Sequence, residues 1–354
     1  MSRAPRLEID LNKLVHNART LVERLASRGI TVTGVTKVTL GSVEVANMLL
    51  QAGVRSLGDS RIENIEAMRL ARVIAPMALI RSPMLSQAAQ VVAHADISFN
   101  SEIEVIRKLS VEAQKIQRTH EVVLMVELGD LREGIMPDDL LDLVAETLRL
   151  PNIKFKGIGT NLACRSGVSP DAKNMAVLSA LADSIEATYD LQVEIVSGGN
   201  SANLEWALSG ADTGRINDLR LGEAILLGCE TLRRQPIDGL HTDVLTLFAE
   251  VIESKVKPSL PTGTIAQTAF GEAPPVSDRG NVSQMILAIG RQDIDPEGLR
   301  PPPGLKIMGA SSDHLILESN RDGLAVGAEV ALQVNYSALV RAMTSPFVTK
   351  IVKT

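Results

Sequence analysis

Aromatic residues are nearly missing from this chain: Phe, Tyr and Trp together supply 2 % of its 354 residues. So few rings leave little on which bases could stack, and no block of Lys or Arg compensates, so nucleic acid is not an expected partner. Net charge leans to the acidic side, at −6. Cysteine is equally scarce. Cys164 and Cys229 form neither a C-x-x-C pair nor a zinc spacing, so no metal site is expected and a reducing cytosol suits them. No apolar run is long enough to span a bilayer, and Met1-Ser2-Arg3-Ala4-Pro5 leads into no apolar leader. The expectation is a soluble, cytoplasmic protein with no membrane partner. Apolar residues, in contrast, make up 45 %, ample for one large core or two.

Residues 31–37, Thr-Val-Thr-Gly-Val-Thr-Lys, form a β-branched run that reads as a buried strand with Lys37 at its end. A lysine at a strand mouth is most often simply solvated. When desolvated, however, it can lose its charge and attack carbonyls. Strand-like segments recur at 54–59, 77–80, 96–99, 122–126, 155–160, 193–197 and 219–221, with helical segments between them such as 43–50, 61–74, 102–117 and 137–150. Eight strands alternating with helices are the pattern of a (β/α)8 barrel. From about residue 240 helices vanish, and short strands follow at 245–252, 285–289, 306–308, 315–318 and 330–334. Turns such as Lys257-Pro258-Ser259-Leu260-Pro261-Thr262-Gly263 and Pro301-Pro302-Pro303-Gly304 divide them. The expectation is a barrel over residues 1–239 and an all-β domain over 240–354.

Barrel chemistry gathers at the C-terminal ends of the strands, with phosphate sites often after the seventh and eighth. Ser197-Gly198-Gly199-Asn200-Ser201-Ala202-Asn203 follows the seventh strand and opens a helix. Its small residues let backbone N–H groups approach an anion, and the Ser201 hydroxyl adds a donor. A flexible turn with a capping serine is an equal alternative. Leu219-Arg220-Leu221-Gly222-Glu223 comes next, with Gly222 able to expose its amide. For Arg220 taken alone, a surface salt bridge is the commoner role.

Taken in order, these segments resemble the alanine racemase type of pyridoxal-phosphate enzyme, and within it the alanine/ornithine racemase branch. The resemblance is carried by Gly34-Val35-Thr36-Lys37, Leu57-Gly58-Asp59-Ser60-Arg61, Leu128-Gly129-Asp130-Leu131-Arg132-Glu133-Gly134, Gly157-Ile158-Gly159-Thr160-Asn161-Leu162, Ser197-Gly198-Gly199-Asn200-Ser201, Leu219-Arg220-Leu221-Gly222-Glu223 and Gly309-Ala310-Ser311-Ser312-Asp313-His314. It implies a barrel that binds pyridoxal 5'-phosphate and a β domain that completes the site. Lys37 would carry the cofactor and act as one acid/base. Asn200, Ser201 and Gly222 would surround its phosphate, Asn161 would lie under the ring, and Arg220 would face the ring nitrogen. Arg132 would sit near the substrate carboxylate. An arginine stays charged, so at the ring nitrogen it donates and discourages protonation, which favours α-proton exchange over decarboxylation.

The departures from alanine racemase are equally specific. The place of a phosphate-binding tyrosine is Gly41, that of a catalytic tyrosine after Ala288-Ile289-Gly290 is Arg291, and that of a modified lysine falls near Met125. Racemisation needs a second acid/base on the opposite face. Tyr336, in a strand-like run, and His314 are the two groups the β domain offers for it, though Tyr336 could equally be core and a structural role is the commoner one for a histidine such as His314. The family implies a homodimer with shared sites. The substrate would be a small amino acid, ornithine or another basic one. Its distal ammonium needs an acidic or carbonyl partner from among Glu127, Asp130, Glu133, Asp293 and Asp313. Two other classes share parts of this pattern: a D-amino-acid aldolase or dehydratase, and a non-catalytic pyridoxal-phosphate carrier. The first would need a His-x-Cys or His-x-Asp pair, but Leu315-Ile316 follows His314. The second is a lone barrel.

Overall fold

The structure, a computed structural model, describes residues 4–271 and 277–354. Residues 1–3, part of the amino-terminal stretch read for a leader, lie outside the described residues. The chain opens with β1 (Arg6–Asp10) and α1 (Leu11–Ala26). The expected barrel follows: β2 (Thr31–Val35), α2 (Val43–Gln51), β3 (Ser56–Asp59), α3 (Ile62–Leu70), β4 (Met77–Leu79), α4 (Ala88–His94), β5 (Ile97–Asn100), α5 (Ile103–Lys115), β6 (His120–Met125), α6 (Leu140–Leu148), β7 (Ile153–Gly159), α7 (Ala172–Tyr189), β8 (Ile195–Ser197), α8 (Leu204–Leu208), β9 (Asp218–Leu221) and α9 (Glu223–Leu227). Strands β2 to β9 pair in chain order, all parallel, and close on themselves where β9 meets β2. All four residues of β9 are buried, as expected of parallel strands covered by helices. The period of two then separates inward from outward side chains: Leu219 and Leu221 alternate with Asp218 and Arg220. Inside the barrel Ala78, Phe99, Val123 and Met125 form an apolar cluster against which Ile80, Ile97 and Ile195 pack.

One irregularity re-aims a charge. Val122 pairs with Phe155 and Val123 with Gly157, so Lys156 is the extra residue of a bulge in β7. Gly157 permits the close approach of β8, because a Cβ there would lie 1.9 Å from the Ile195 carbonyl oxygen. Lys156 can then pair with Glu121 at 3.2 Å and with Glu194 at 2.5 Å.

A second compact unit consists of β1 together with the chain from Asp243 onward. Its strands are β10 (Leu245–Pro258), β11 (Asn281–Leu287), β12 (Leu299–Arg300), β13 (Leu305–Ala310), β14 (Leu315–Ser319), β15 (Glu329–Val334) and β16 (Thr349–Lys353). They run β12-β15-β10-β11-β14-β13, and β1 pairs with both β10 and β16. The all-β expectation holds for the sheet, with two corrections. Lys257 and Pro258 end a long strand rather than form a turn, since β10 pairs with β11 as far as Pro258 opposite Asn281. Tyr336 is not in a strand. It is the first residue of helix α10 (Tyr336–Thr344), where the Asn335 side chain accepts from the Ala338 amide and Leu339, Ala342 and Met343 form a buried face.

Candidate active site

Lys37, Arg132, Asn161, Asn200, Ser201, Arg220 and Gly222 lie at the C-terminal ends of barrel strands or in the segments that follow them, whereas Tyr336 and His314 belong to the second unit. β2 stops at Val35, and Lys37 opens a single 3-10 turn, Lys37–Thr39, rather than closing the strand. Its side chain is exposed at the barrel mouth. The turn is anchored from below by Thr36, whose hydroxyl donates to Asp59 Oδ2 at 2.8 Å. Asp59 is fully buried. Burial raises its pKa, and the bonds from Thr36, the Arg61 amide and Asn64 only partly offset that rise.

Two glycine-bearing turns stand beside Lys37. After β8, Ser201–Asn203 forms a 3-10 turn whose Asn200 cap accepts from the Ala202 amide at 2.8 Å. Gly199 precedes it with φ +142°, and a Cβ there would lie 2.2 Å from Asn203 Oδ1. After β9, Gly222 caps α9 and packs on the lysine strand, where a Cβ would lie 3.1 Å from Val35 Cβ. The buried Ser201 hydroxyl ties the turns together by accepting from the Ala224 amide at 3.1 Å. Two helix starts and one hydroxyl therefore converge, an arrangement that suits an anion such as phosphate.

Arg220 is 5 % exposed. It donates from Nη1 to Ser197 Oγ at 2.5 Å and from Nη2 to the Thr160 carbonyl at 2.7 Å, and it lies 5.0 Å from the Phe99 ring centre. The surface-salt-bridge alternative is thereby excluded. Burial pushes its pKa down to about 10, against the opposing pull of the Asp218 carboxylate. The Asn161 amide has two settings. In one, its oxygen accepts from Asn200 Nδ2 at 3.1 Å and from Arg220 Nη2 at 3.4 Å. In the other, it accepts from Arg132 Nη1 and Nη2, both at 3.2 Å. Arg132 itself donates through Nε and Nη2 to the Glu133 carboxylate and lies 2.9 Å from Cys164 Sγ through Nη1. Burial alone would lower the Arg132 pKa, but Glu133 holds it above arginine's ordinary value.

Two of the acids considered for a substrate ammonium are occupied by backbone. Glu127 accepts from the amides of Gly129, Leu131 and Arg132. Asp130 accepts from those of Cys164, Arg165, Ser166 and Val168. These amides outweigh burial and lower the Asp130 pKa. Both acids brace the loop that presents Arg132, leaving Glu133 as the barrel acid with a side chain turned to another side chain. Met125 is 3 % exposed in the barrel core. Gly41, at φ +67°, admits no side chain, since a Cβ would lie 2.9 Å from Asn64 Cβ.

In the second unit, His314 is exposed in the turn between β13 and β14, where its amide donates to Ser311 Oγ at 3.2 Å. Tyr336 is half-buried at the start of α10. Arg291 pairs with Glu297 at 2.7 Å, and its amide donates to the Ser311 carbonyl at 2.9 Å. Arg341 of α10 donates to the Arg291 carbonyl at 3.0 Å. Asp293 is buried and accepts from Ser345 Oγ at 2.6 Å, whereas Asp313 is exposed. Sequence reasoning missed Asp218, Ser197, Thr33 and Asp59. Only the two-residue spacing of Asp218 from Arg220, one face of one strand, could have pointed to any of them. Among the described residues no group of three or more His, Cys, Asp or Glu is arranged to hold a metal ion.

Comparison with known proteins places the chain among relatives. The chain is 39 % identical over 349 residues to the lysine racemase of Thermotoga maritima, covering 98 % of each chain. To the ornithine racemase of Acetoanaerobium sticklandii it is 38 % identical over 351 residues, covering 98 % of this chain and 99 % of that one. In fold it resembles the crystal structure of alanine racemase from D-cycloserine-producing Streptomyces lavendulae, with a TM-score of 0.77 at 16 % identity over 100 % of this chain and 98 % of that one. Residues 9–229 match the family described as alanine racemase, N-terminal domain, and with relatives this similar along its whole length the chain belongs to the alanine racemase family.

Proposed function

We propose that the protein is a pyridoxal-phosphate-dependent racemase that interconverts the L and D forms of a basic amino acid. The observation that carries this reading is the convergence of Lys37, the Ser201 and Gly222 turns and Arg220 at one end of the barrel. These residues fit the cofactor. Lys37 offers the amine for its aldehyde, and the Ser201 hydroxyl between the two turns offers a donor for its phosphate. Arg220 offers a charged donor for its ring nitrogen. When bound, the cofactor supplies an electron sink that makes the substrate α-proton acidic.

The chain's own groups do the rest. Lys37 takes or returns the α-proton on one face. Arg220 keeps its proton, which limits the sink and favours proton return over bond cleavage. Arg132 meets the substrate carboxylate, which competes there with Glu133. With Glu127 and Asp130 committed to amides, Glu133, which Arg132 would release to a competing substrate carboxylate, is the barrel acid left for a distal ammonium, and this supports a basic substrate. The names of the full-length relatives, lysine racemase and ornithine racemase, support the same reading. Tyr336 or His314 supplies the opposite-face acid/base, and the working form is a homodimer.

The test is polarimetry of L-lysine, L-ornithine and L-alanine with purified, cofactor-loaded protein. Optical rotation should decay with the basic amino acids, much more slowly with alanine, and not at all in Lys37→Ala. Persistent rotation with every amino acid, or a Lys37→Ala variant with parental rate, would overturn the reading.

A further inference from the structure

Below Arg220 a chain of hydrogen bonds runs down the barrel axis. The Ser197 hydroxyl, fully buried, accepts from Arg220 Nη1 at 2.5 Å and donates to Asp218 Oδ2. Thr33 donates to the other oxygen, Asp218 Oδ1, at 2.7 Å, and lies 2.9 Å from the Ser56 hydroxyl. A hydroxyl has one proton, so giving it to Asp218 leaves the Ser197 lone pairs for Arg220 and fixes the direction of the relay. Asp218 and Arg220 stand two apart on one face of β9, so the strand's own period holds acid and base in line. Asp218 also lines a cavity of about 340 Å³ at the N-terminal end of the barrel, together with Thr33, Ser56, Lys156 and Glu194.

None of the groups that Arg220 touches directly, Ser197, the Thr160 carbonyl and Asn161, carries a charge. A cation buried among neutral partners is costly and tends to shed its proton. Arg132 and Glu133 act on it from above with opposite signs, and they are paired with each other. Asp218 is therefore the counter-charge that is not cancelled.

We propose that Asp218 is a positioning residue for the reaction: through Ser197 it fixes the orientation of the Arg220 guanidinium and keeps its proton on arginine. The proposal rests on the cofactor reading above for its consequence, since a guanidinium that keeps its proton leaves the ring nitrogen unprotonated. Without Asp218 the proton would sit less firmly on Arg220 and could pass to that nitrogen.

Two measurements test it. In cofactor-free protein, arginine ¹³Cζ resonances are followed against pH, with Arg220→Lys identifying the Arg220 signal. Arg220 should titrate lower by about one pH unit or more in Asp218→Asn, as expected when a nearby opposite charge is lost. Ser197→Ala, which keeps both charges and deletes only the hydroxyl, should shift the Arg220 signal in the same direction. In protein loaded with ring-¹⁵N pyridoxal phosphate, both substitutions should move the nitrogen signal towards the protonated position. In the Arg220→Gln background Asp218→Asn should move it no further. An Arg220 titration unchanged in both variants, or a ring signal that moves equally with and without Arg220, overturns the proposal. Parent protein that gives no ring signal at all counts against the cofactor reading instead, and the cofactor-free titration still decides the role of Asp218.

Discussion

Ser201 joins its own turn to one whose bonded amide lies 23 residues along the chain, and its removal separates their contributions. Its Oγ accepts from the Ala224 amide at 3.1 Å, and the same hydroxyl can donate to a phosphate oxygen. Ser201→Ala should weaken binding of pyridoxal phosphate by about tenfold, the worth of one buried hydrogen bond at 1–1.5 kcal/mol. Fluorescence titration of the cofactor-free protein measures this, and unchanged affinity would remove Ser201 from the cofactor site. Residues of this kind were legible in the sequence because their evidence is local: a lysine closing a β-branched run, and small residues before a helix. Asp130 and Asp218 were not. Asp130 is defined by amides 34 to 38 residues away and Asp218 by a hydroxyl 21 residues away. Only the closed barrel brings those groups together, so an acid in a loop read as a ligand for ammonium when it is in fact a brace for backbone.

At the level of elements, the start of β6 carries a pH-sensitive group. His120 is 1 % exposed and lies 2.8 Å from Ser98 Oγ on the neighbouring β5. Burial, helped by the charge of Arg118, lowers its pKa from 6.5 to about 4. The unfolded chain takes up this proton near pH 6.5, while the folded barrel resists it until about pH 4. Unfolding therefore binds a proton in that window, and stability falls as pH drops through it. A shift from 6.5 to about 4 is worth about 3 kcal/mol at most. Trp206, the single tryptophan of the chain and 6 % exposed in α8, reports barrel unfolding in denaturant at pH 7.5 and 4.5. His120→Asn should flatten the difference, and a parent barrel equally stable at both values would refute the assignment. The eight barrel strands were legible because short, largely apolar segments recur between helical ones, whichever apolar residues they use. Strand β1 was not, since its sequence RLEID is short and charged. Arg6 is buried there only because Glu8 and Glu329 pair with it. Helix α10 was hidden by the strand pattern of residues 330–334 just before it, although Asn335 is an ordinary helix cap.

At the scale of the molecule, a barrel by itself leaves Lys37 open to water, and reactive intermediates need water excluded. The relatives align along 98 % of this chain, so the β unit belongs to what they share and is the part able to cover a mouth. Of the five phenylalanines in the chain, Phe270 and Phe347 are 55 % and 72 % exposed, and both lie in this unit. Aromatic side chains are enriched where proteins associate. In the homodimer proposed above, the β unit of one protomer would supply the acid/base, Tyr336 or His314, opposite Lys37 of its partner. Lys37→Ala should be inactive alone, and Tyr336→Phe or His314→Ala should be inactive or nearly so. Mixed after dissociation and reassociation, the two variants should recover about a quarter of parental activity, since half of the dimers are then mixed and each mixed dimer keeps one intact site. A site built within one chain gives no recovery, because every protomer carries a lesion. Subunit exchange demonstrated by differently tagged chains, yet without recovered activity, would refute the shared site, and so would parental activity in a stable monomer.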